Sequence, residues 1–400
     1  MTHTLISFLG KAAQSYRNAT YDFGDGQQQE TAFFGLGLTR HIKPDRLVVL
    51  GTTGSMWDVL LISLNLDSHL DEALLNLGES AQQDCTSTIE LNSLMPAVSE
   101  RLGLPVSLRL IPYGRNTDEQ VEILQRMALD IAEGDAVTLD VTHGLRHLPM
   151  LAQMSALYLR RVKNVKINGL YYGALDMTRD GLTPVMNLRG LLDMADWTGA
   201  VQSFDKDGDY GVFAPLMQEQ SPTAAGLLHK SAFYERTTRP GQARSQLREL
   251  MVEIEQQPLT GIGSLFASTL NARLSWYREE RLYLRQQALA RLYLEHDDFL
   301  RAALFGFEAF ITRLMQQNGI NNPDDWARRD EAKGRYEADN KGQYPRSENY
   351  KRYCLLRDLR NHLAHGNASP QAEIQSALAN ADRLREFISE LFERLLPLNG

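Results

Sequence analysis

Cysteine is almost missing from this sequence. The two that occur, Cys85 and Cys354, stand far apart and form no CxxC or CxxH pair. Disulfide frameworks and cysteine zinc sites need more cysteines at closer spacing, so the sequence predicts neither. This composition is typical of a reducing compartment, and we expect a cytoplasmic protein.

Long apolar runs are missing as well. No stretch approaches the roughly 18 apolar residues that a membrane helix needs. The first residues, MTHTLISFLGKAAQ, have no basic segment before their short apolar run, which is not the pattern of an export signal. We therefore expect neither export nor a membrane partner.

An excess of positive charge is also absent. The formal net charge is −8 and the isoelectric point is about 5.7, which argues against a basic surface that coats nucleic acid. Any RNA contact must then be local. The basic stretch at residues 235–248, ERTTRPGQARSQLR, is more simply explained as a solvated loop and helix start than as a nucleic-acid patch.

The chain is long enough for two domains or three, with 43% apolar residues among its 400. Short β-rich runs alternate with helical patterns in the first half, and they occupy residues 4–9, 46–51, 106–112, 136–142 and 165–173. Apolar strands joined by helices predict an α/β domain with a doubly wound, mostly parallel Rossmann-like sheet over residues 1–185.

Residues 186–400 are predicted to form an all-α domain, because strand signals stop after GLTPVMNLRG and Leu, Ala, Arg and Glu become frequent. One long amphipathic helix is expected over residues 371–396, entered through Ser369 and Pro370. Residues 321–349 contain little apolar surface and mixed charges, which predicts a surface insertion or, alternatively, a loop over a site.

Two turns follow predicted strands and precede helical patterns. They are GTTGS at residues 51–55 and DVTHGLR at residues 140–146. Ligands of parallel sheets bind beyond the carboxyl ends of the strands, where glycine lets the backbone approach a phosphate and helix N-termini offer free N–H groups. Thr142 is a candidate helix cap there, and Arg146 is a candidate anion contact.

Other ligands for these turns are not favoured. No GxGxxG follows a strand, so a nicotinamide cofactor is not predicted. His143 and His147 stand four residues apart, a spacing that suits zinc, but no HExxH motif and no third ligand accompany them. No metal site is expected.

A third segment, RNHLAHG at residues 360–366, lies near the C-terminus. Arg360 is followed by Asn361 and, five residues later, by His365, while Gly366 is placed to end the helix. The same Arg-to-His spacing occurs in Arg291/His296 and Arg357/His362. The first of these two pairs is explained by a charged helix face, and the second remains a competitor.

Helix geometry limits how closely Arg360 and His365 of one copy can approach the same phosphate. Five residues turn about 500°, which leaves Arg360 and His365 roughly 140° apart around the axis. One copy therefore does not converge easily on a single phosphate, whereas two copies related by a twofold axis would line one groove. Leu356, Leu359 and Leu363 would pack inward or against the partner.

Together these segments carry a family resemblance. GTTGSMW (51–57), DVTHGLR (140–146) and RNHLAHG (360–366), supported by FLGK (8–11) and IPYGRNTDEQ (111–120), make the chain similar to the CRISPR-associated Rossmann fold (CARF) family joined to a HEPN ribonuclease domain. Proteins of this kind are ancillary nucleases of type III CRISPR systems.

The resemblance implies a sensor joined to an effector. Its CARF half would bind cyclic oligoadenylate, an allosteric activator, across a homodimer or higher oligomer. The implied ligand contacts are Gly10, Lys11, Thr52, Thr53, Gly54, Ser55, Thr142, His143, Gly144 and Arg146.

Its HEPN half would be an endoribonuclease that needs no metal or other cofactor and cleaves single-stranded RNA through attack of the ribose 2′-OH. Arg360, Asn361 and His365 would be its catalytic residues, although His362 makes the motif degenerate. A ligand-gated nucleic-acid-binding regulator and a catalytically inactive CARF–HEPN scaffold are the alternatives.

Overall fold

The computed structural model describes residues 1–11, 17–320, 322, 325–366 and 371–397. They divide into two compact units, Met1–Asp193 and Met194–Gly400. Ser369 and Pro370, the expected entry to the last helix, lie outside the described residues. Among the residues described, no helix has the length and apolar character to cross a membrane.

The first unit contains an eight-stranded sheet in the order β3-β2-β8-β7-β6-β1-β4-β5. Its strands are β1 His3–Leu9, β2 Ala19–Asp22, β3 Gln28–Thr31, β4 Arg46–Gly51, β5 Val106–Leu110, β6 Ala136–Asp140, β7 Lys166–Gly173 and β8 Leu182–Asn187. The five predicted strands correspond to β1, β4, β5, β6 and β7, which run parallel to one another. β8 and β3 each pair antiparallel with a neighbour.

Helices cover both faces of this sheet. They are α1 Phe34–Ile42, α2 Trp57–Ile62, α3 Asp71–Gln82, α4 Thr88–Leu102, α5 Thr117–Ala128 and α6 Leu148–Val162. Alternate residues of β1 explain the two layers, because Leu5 packs with α1 to α4 while Ile6 packs with α5 and α6. The expected α/β architecture with a mostly parallel sheet is confirmed.

The second unit is helical throughout its described part, as predicted. Its helices are α7 Gly190–Asp207, α8 Ala214–Met217, α9 Pro222–Arg236, α10 Pro240–Gln256, α11 Gly261–Arg273, α12 Leu282–Glu295, α13 Phe299–Gln317, α14 Trp326–Lys341, α15 Glu348–His365, α16 Ala372–Ala377 and α17 Ala381–Leu395. The division between the units falls within α7, whereas the sequence placed it after residue 185.

One prediction for this unit is wrong, and the structure adds detail to another. The final helix is broken into α16 and α17, because Asn380 adopts an extended conformation and its side chain caps α17 by accepting from the Arg383 N–H. Within the predicted surface insertion, residues 326–341 form helix α14, and most of its side chains are exposed. Ala332 is fully buried, and the Tyr336 ring lies 5.3 Å from Phe310 and 5.1 Å from Tyr353, so α14 packs on α13 and α15.

Candidate functional site

The sheet order brings four strand ends together in the first unit. β6, β1, β4 and β5 are consecutive neighbours and parallel, so the loops that follow them meet at one edge. Every predicted ligand contact follows β1, β4 or β6. We refer to this set of loops as the carboxyl edge, defined by residues 10–11, 52–56, 111–115 and 141–147.

Gly10 joins three of these loops through the backbone. The Met56 N–H donates to the Gly10 carbonyl at 3.0 Å. A Cβ at Gly10 would lie 2.6 Å from the Gly144 nitrogen and 2.8 Å from its Cα, so only glycine allows this approach. Gly144 itself has φ +113°, a conformation that side chains disfavour.

The Ser55 and Thr53 hydroxyls of the β4 turn have different hydrogen-bond partners. The buried Ser55 hydroxyl donates to the Leu9 carbonyl at 2.8 Å and accepts from the Thr52 N–H at 2.8 Å. It closes the turn and ties it to β1 rather than capping α2. Thr53, by contrast, is partly exposed, and its hydroxyl donates to the Asp84 carboxylate.

The turn after β6 is anchored by Asp140. This fully buried carboxylate accepts from the Ser7 hydroxyl at 2.5 Å and from the Thr142 N–H at 2.8 Å. Burial raises the pKa of Asp140 to about 6, although both hydrogen bonds oppose that rise. Thr142 does not cap α6, which begins at Leu148; its hydroxyl instead accepts from the Gly173 N–H at 2.8 Å.

The two histidines of this turn contact the protein itself. His143 is buried, and its Nε2 accepts from the Phe34 N–H at 3.1 Å. Burial lowers the pKa of His143 to about 4, which keeps the ring neutral. His147 Nε2 donates to the Tyr113 carbonyl at 2.8 Å. The Nε2 atoms of both histidines are therefore hydrogen-bonded to the backbone.

Lys11 and Arg146 are exposed at the same edge and supply its positive charge. The sequence also missed three residues there: Asp84 from the loop between α3 and α4, and Tyr113 and Arg115 from the loop after β5. Tyr113 and Arg115 stood within the quoted segment IPYGRNTDEQ, so a signal existed. Asp84 had none, because only the fold brings its loop to this edge.

Helix α15 carries the third segment in the second unit. Gly366 ends the helix with φ +67°, and its N–H donates to the His362 carbonyl, so the predicted helix end is confirmed. His365 and Asn361 are exposed. Leu356 and Leu359 are fully buried and Leu363 packs against the same core, which confirms the inward option for this stripe.

Arg360 is held by an aromatic ring rather than by a carboxylate. Its guanidinium carbon lies 4.6 Å from the centre of the Phe307 ring. Within the described part of the chain, no Asp or Glu lies within ion-pair distance of Arg360. The side chain is half-buried, so its charge is oriented but not neutralised.

The competing arginine has a different environment. Arg357 donates to Asp358 at 2.8 Å and to Glu337 at 3.1 Å, and the Tyr353 hydroxyl donates to the same Glu337 at 2.8 Å. The Asp358 hydrogen bond is the largest cause of a pKa of Arg357 above its usual value. Two carboxylates thus neutralise Arg357, and that of Glu337 connects α15 to α14.

The remaining Arg–His pair has a structural explanation. Arg291 is partly buried and donates to the Leu396 carbonyl at 3.0 Å, and His296 is the C-cap residue of α12. The predicted charged helix face is therefore only partly right, since Arg291 also connects α12 to the chain after α17.

Most of the first unit is similar to a known protein family. Residues 4–176 match the model of the CARF domain of the CRISPR system endoribonuclease Csx1. This range contains the carboxyl edge and, except for His3, the five mutually parallel strands β1, β4, β5, β6 and β7, whereas β8 lies beyond it. This part of the chain is therefore similar to a CARF domain.

Sequence similarity to a CRISPR-associated protein extends over most of the chain. The chain is 23% identical over 404 aligned positions to the CRISPR-associated protein MJ1674 of Methanocaldococcus jannaschii, covering 93% of this chain. It spans 63% of the length of that curated relative. The solved structure of Enterococcus italicus Csm6 bound to cyclic hexa-2′-fluoro-hexa-dAMP aligns with 99% of this chain and 94% of its own, at 13% identity and a TM-score of 0.38.

Proposed function

We propose that this protein is an endoribonuclease of type III CRISPR antiviral defence, activated by cyclic oligoadenylate and independent of metal ions. The observation that carries the proposal is one chain with a CARF-type domain followed by a helical unit in which a half-buried, unneutralised Arg360 precedes an exposed His365. The helical unit is proposed to be a HEPN domain. Its substrate is single-stranded RNA.

The proposed reaction uses the substrate's own nucleophile. The ribose 2′-OH loses its proton to a base and its oxygen bonds to the adjacent phosphorus, while the bond to the 5′-oxygen breaks and that oxygen takes up a proton. The products are a 2′,3′-cyclic phosphate and a 5′-OH end. A metal-bound water is not needed for this attack, and DNA lacks the nucleophile.

Each residue of the motif has a role in this scheme. His365 transfers a proton at the 2′-oxygen or the 5′-oxygen, a contribution typically worth about 10² to 10⁴-fold. Arg360 donates to the phosphate oxygens as their negative charge grows. Asn361, exposed beside Arg360, orients one of these groups.

Activation is proposed to act through a dimer. Because Arg360 and His365 are about 140° apart around α15, the site is completed by the motif of a second copy. Cyclic oligoadenylate bound at the carboxyl edge, through Gly10, Lys11, the β4 turn and the β6 turn, shifts the population of dimers toward those in which the two motifs face each other.

The test is an RNA cleavage assay with EDTA and with cyclic tri-, tetra- or hexa-adenylate. We expect slow cleavage alone, faster cleavage with one of the three rings, and no cleavage of the matching DNA. Arg360→Ala and His365→Ala should each remove the activity, while His296→Ala, which alters the same Arg-to-His spacing elsewhere, should not.

Three results would redirect the proposal. Full activity of Arg360→Ala and His365→Ala would refute this motif. Loss of activity only in Arg357→Ala and His362→Ala would move the site upstream. Ring binding without cleavage under any condition would favour the inactive scaffold or the ligand-gated binding protein.

A further inference from the structure

Asp84 contacts the proposed ligand site directly, although it lies far from it in sequence. The Thr53 hydroxyl and the Tyr113 hydroxyl, the latter at 2.5 Å, donate to the same oxygen, Oδ1 of Asp84. A Cβ on Gly54 would lie 2.8 Å from that oxygen and 3.0 Å from the Tyr113 hydroxyl. The loop between α3 and α4 and the loop after β5 thus meet over the β4 turn.

The surroundings of Asp84 are otherwise suited to phosphate. The Arg115 guanidinium lies 4.6 Å from the centre of the Tyr113 ring, and Lys11 and Arg115 both favour the ionised carboxylate electrostatically. Hydrogen bonds, that of Thr53 first, lower the pKa of Asp84 even though it is exposed. An ionised carboxylate therefore stands among cations and hydroxyls at the carboxyl edge.

Such a carboxylate is unfavourable next to a polyanion unless it accepts hydrogen bonds from the ligand. An ionised carboxylate is an acceptor only, with roughly four lone-pair sites on its two oxygens. The hydroxyls use Oδ1, and Oδ2 has no hydrogen-bond partner among the residues that the structure describes. Adenosine offers two kinds of donor, the N6 amino group of the base and the ribose 2′-OH.

We propose that Asp84, oriented by Thr53 and Tyr113, accepts a hydrogen bond through Oδ2 from an adenosine donor of the bound ring. Asp84 is then a specificity residue, selecting rings of nucleotides that carry this donor over rings that lack it. This inference rests on the proposed function, since it concerns the same ligand site.

The experiment measures binding to full-length wild-type protein and to Asp84→Asn. Probes are the tightest-binding ring among cyclic tri-, tetra- and hexa-adenylate, its inosine analogue without the N6 amino group, and its 2′-deoxy analogue. Asp67→Asn is the matched control, because Asp67 is an exposed aspartate beyond the end of α2. Thermal melting of each variant checks that it is folded.

The expected change in binding affinity differs in direction from the change that simple removal of a negative charge would cause. Replacing Asp84 should weaken adenylate binding about 10-fold, the loss of one hydrogen bond to a charged group. The same replacement should leave unchanged, or tighten, binding of whichever analogue lacks the donor that Asp84 reads. The inosine and 2′-deoxy arms therefore decide between base and ribose.

Other results overturn the inference. Tighter or equal binding of the adenylate ring by Asp84→Asn would mean that the carboxylate only repels phosphate. Equal weakening for both analogues would mean that Asp84 shapes the loops without reading a donor. Wild-type protein that binds none of the three rings would overturn the proposed sensor function together with this inference.

Discussion

The two proposed sites are assembled in different ways. At the carboxyl edge, loops from four strands meet because parallel neighbours end on the same side, and Gly10 and Gly144 lock two of them together. On α15, the two main residues belong to one helix and diverge around it. Folding of one chain thus brings the loops of the first proposed site together, whereas the two residues of the second do not converge within one helix.

The largest effect is expected when two inactive variants of the α15 motif are mixed to form dimers. Arg360→Ala and His365→Ala proteins are each expected to be inactive, by about 10²-fold or more. If the site combines Arg360 of one copy with His365 of the other, their mixed dimer retains one complete site and regains RNA cleavage. A mixed dimer as inactive as its parents would show that each copy supplies both residues to its own site.

A buried carboxylate in each unit offers the next test. Glu235 is fully buried and accepts from the Tyr293 hydroxyl at 2.5 Å; burial raises the pKa of Glu235 from 4.5 to about 7. The folded protein keeps this proton up to pH about 7, whereas the unfolded chain releases it above pH 4.5. The free energy of unfolding therefore falls by about 3 kcal/mol as the pH rises from 4.5 to 7. Glu235→Gln should remove that slope.

The measurement is hydrogen exchange of α9 and α12 amides from pH 4.5 to 8. Asp140 is the corresponding buried carboxylate in the first unit. Because its pKa is about 6, the stability of β6 should stop falling roughly one pH unit below the point at which that of α9 and α12 does. Identical pH dependence in wild-type protein and Glu235→Gln would show that Glu235 is ionised when folded.

Gly10→Ala should damage the first unit alone. The added methyl group meets the Gly144 backbone, which has no rotamer to change, so we expect a loss of about 1–3 kcal/mol in stability and weaker ring binding. Gly226→Ala in α9 is the matched control, since a Cβ there meets nothing within 4 Å. If Gly10→Ala binds the ring as tightly as wild-type protein, the contact between Gly10 and Gly144 is not needed for ligand binding.

The smallest effect is expected for Glu337→Gln. The ion pair with Arg357 is partly exposed, so its loss should cost about 1 kcal/mol or less and leave RNA cleavage unchanged. Glu331→Gln, which affects an exposed pair with Arg335, is the control. A large change in cleavage rate would indicate that Arg357, not Arg360, contacts the phosphate.

Some of the strands that the sequence predicted have continuous apolar runs. β4 and β6 carry such runs because both faces of the sheet are covered there. The sequence did not predict β2, which has four residues, or β3, which has the polar sequence QQET. Both lie at one end of the sheet, and they form through pairing with neighbouring strands rather than through an apolar pattern of their own. The break at Asn380 was missed because the apolar spacing continues across it.

The candidate site shows the same limit. Turns such as GTTGS and DVTHGLR are visible as strings, but sequence did not reveal that Ser55 and His143 face the protein interior while Thr53 faces Asp84. Likewise, spacing did not separate Arg357 from Arg360. Only the positions of Glu337, Asp358 and Phe307 distinguish a neutralised guanidinium from an unneutralised one.

The ring of Phe307 under Arg360 has one further consequence. A carboxylate in its place would order the guanidinium equally well but would cancel its attraction for a phosphodiester. An aromatic face fixes the position of the cation and leaves its field directed outward. Among the residues that the structure describes, no carboxylate offsets this charge, so α15 holds an oriented cation where the proposed RNA substrate would approach.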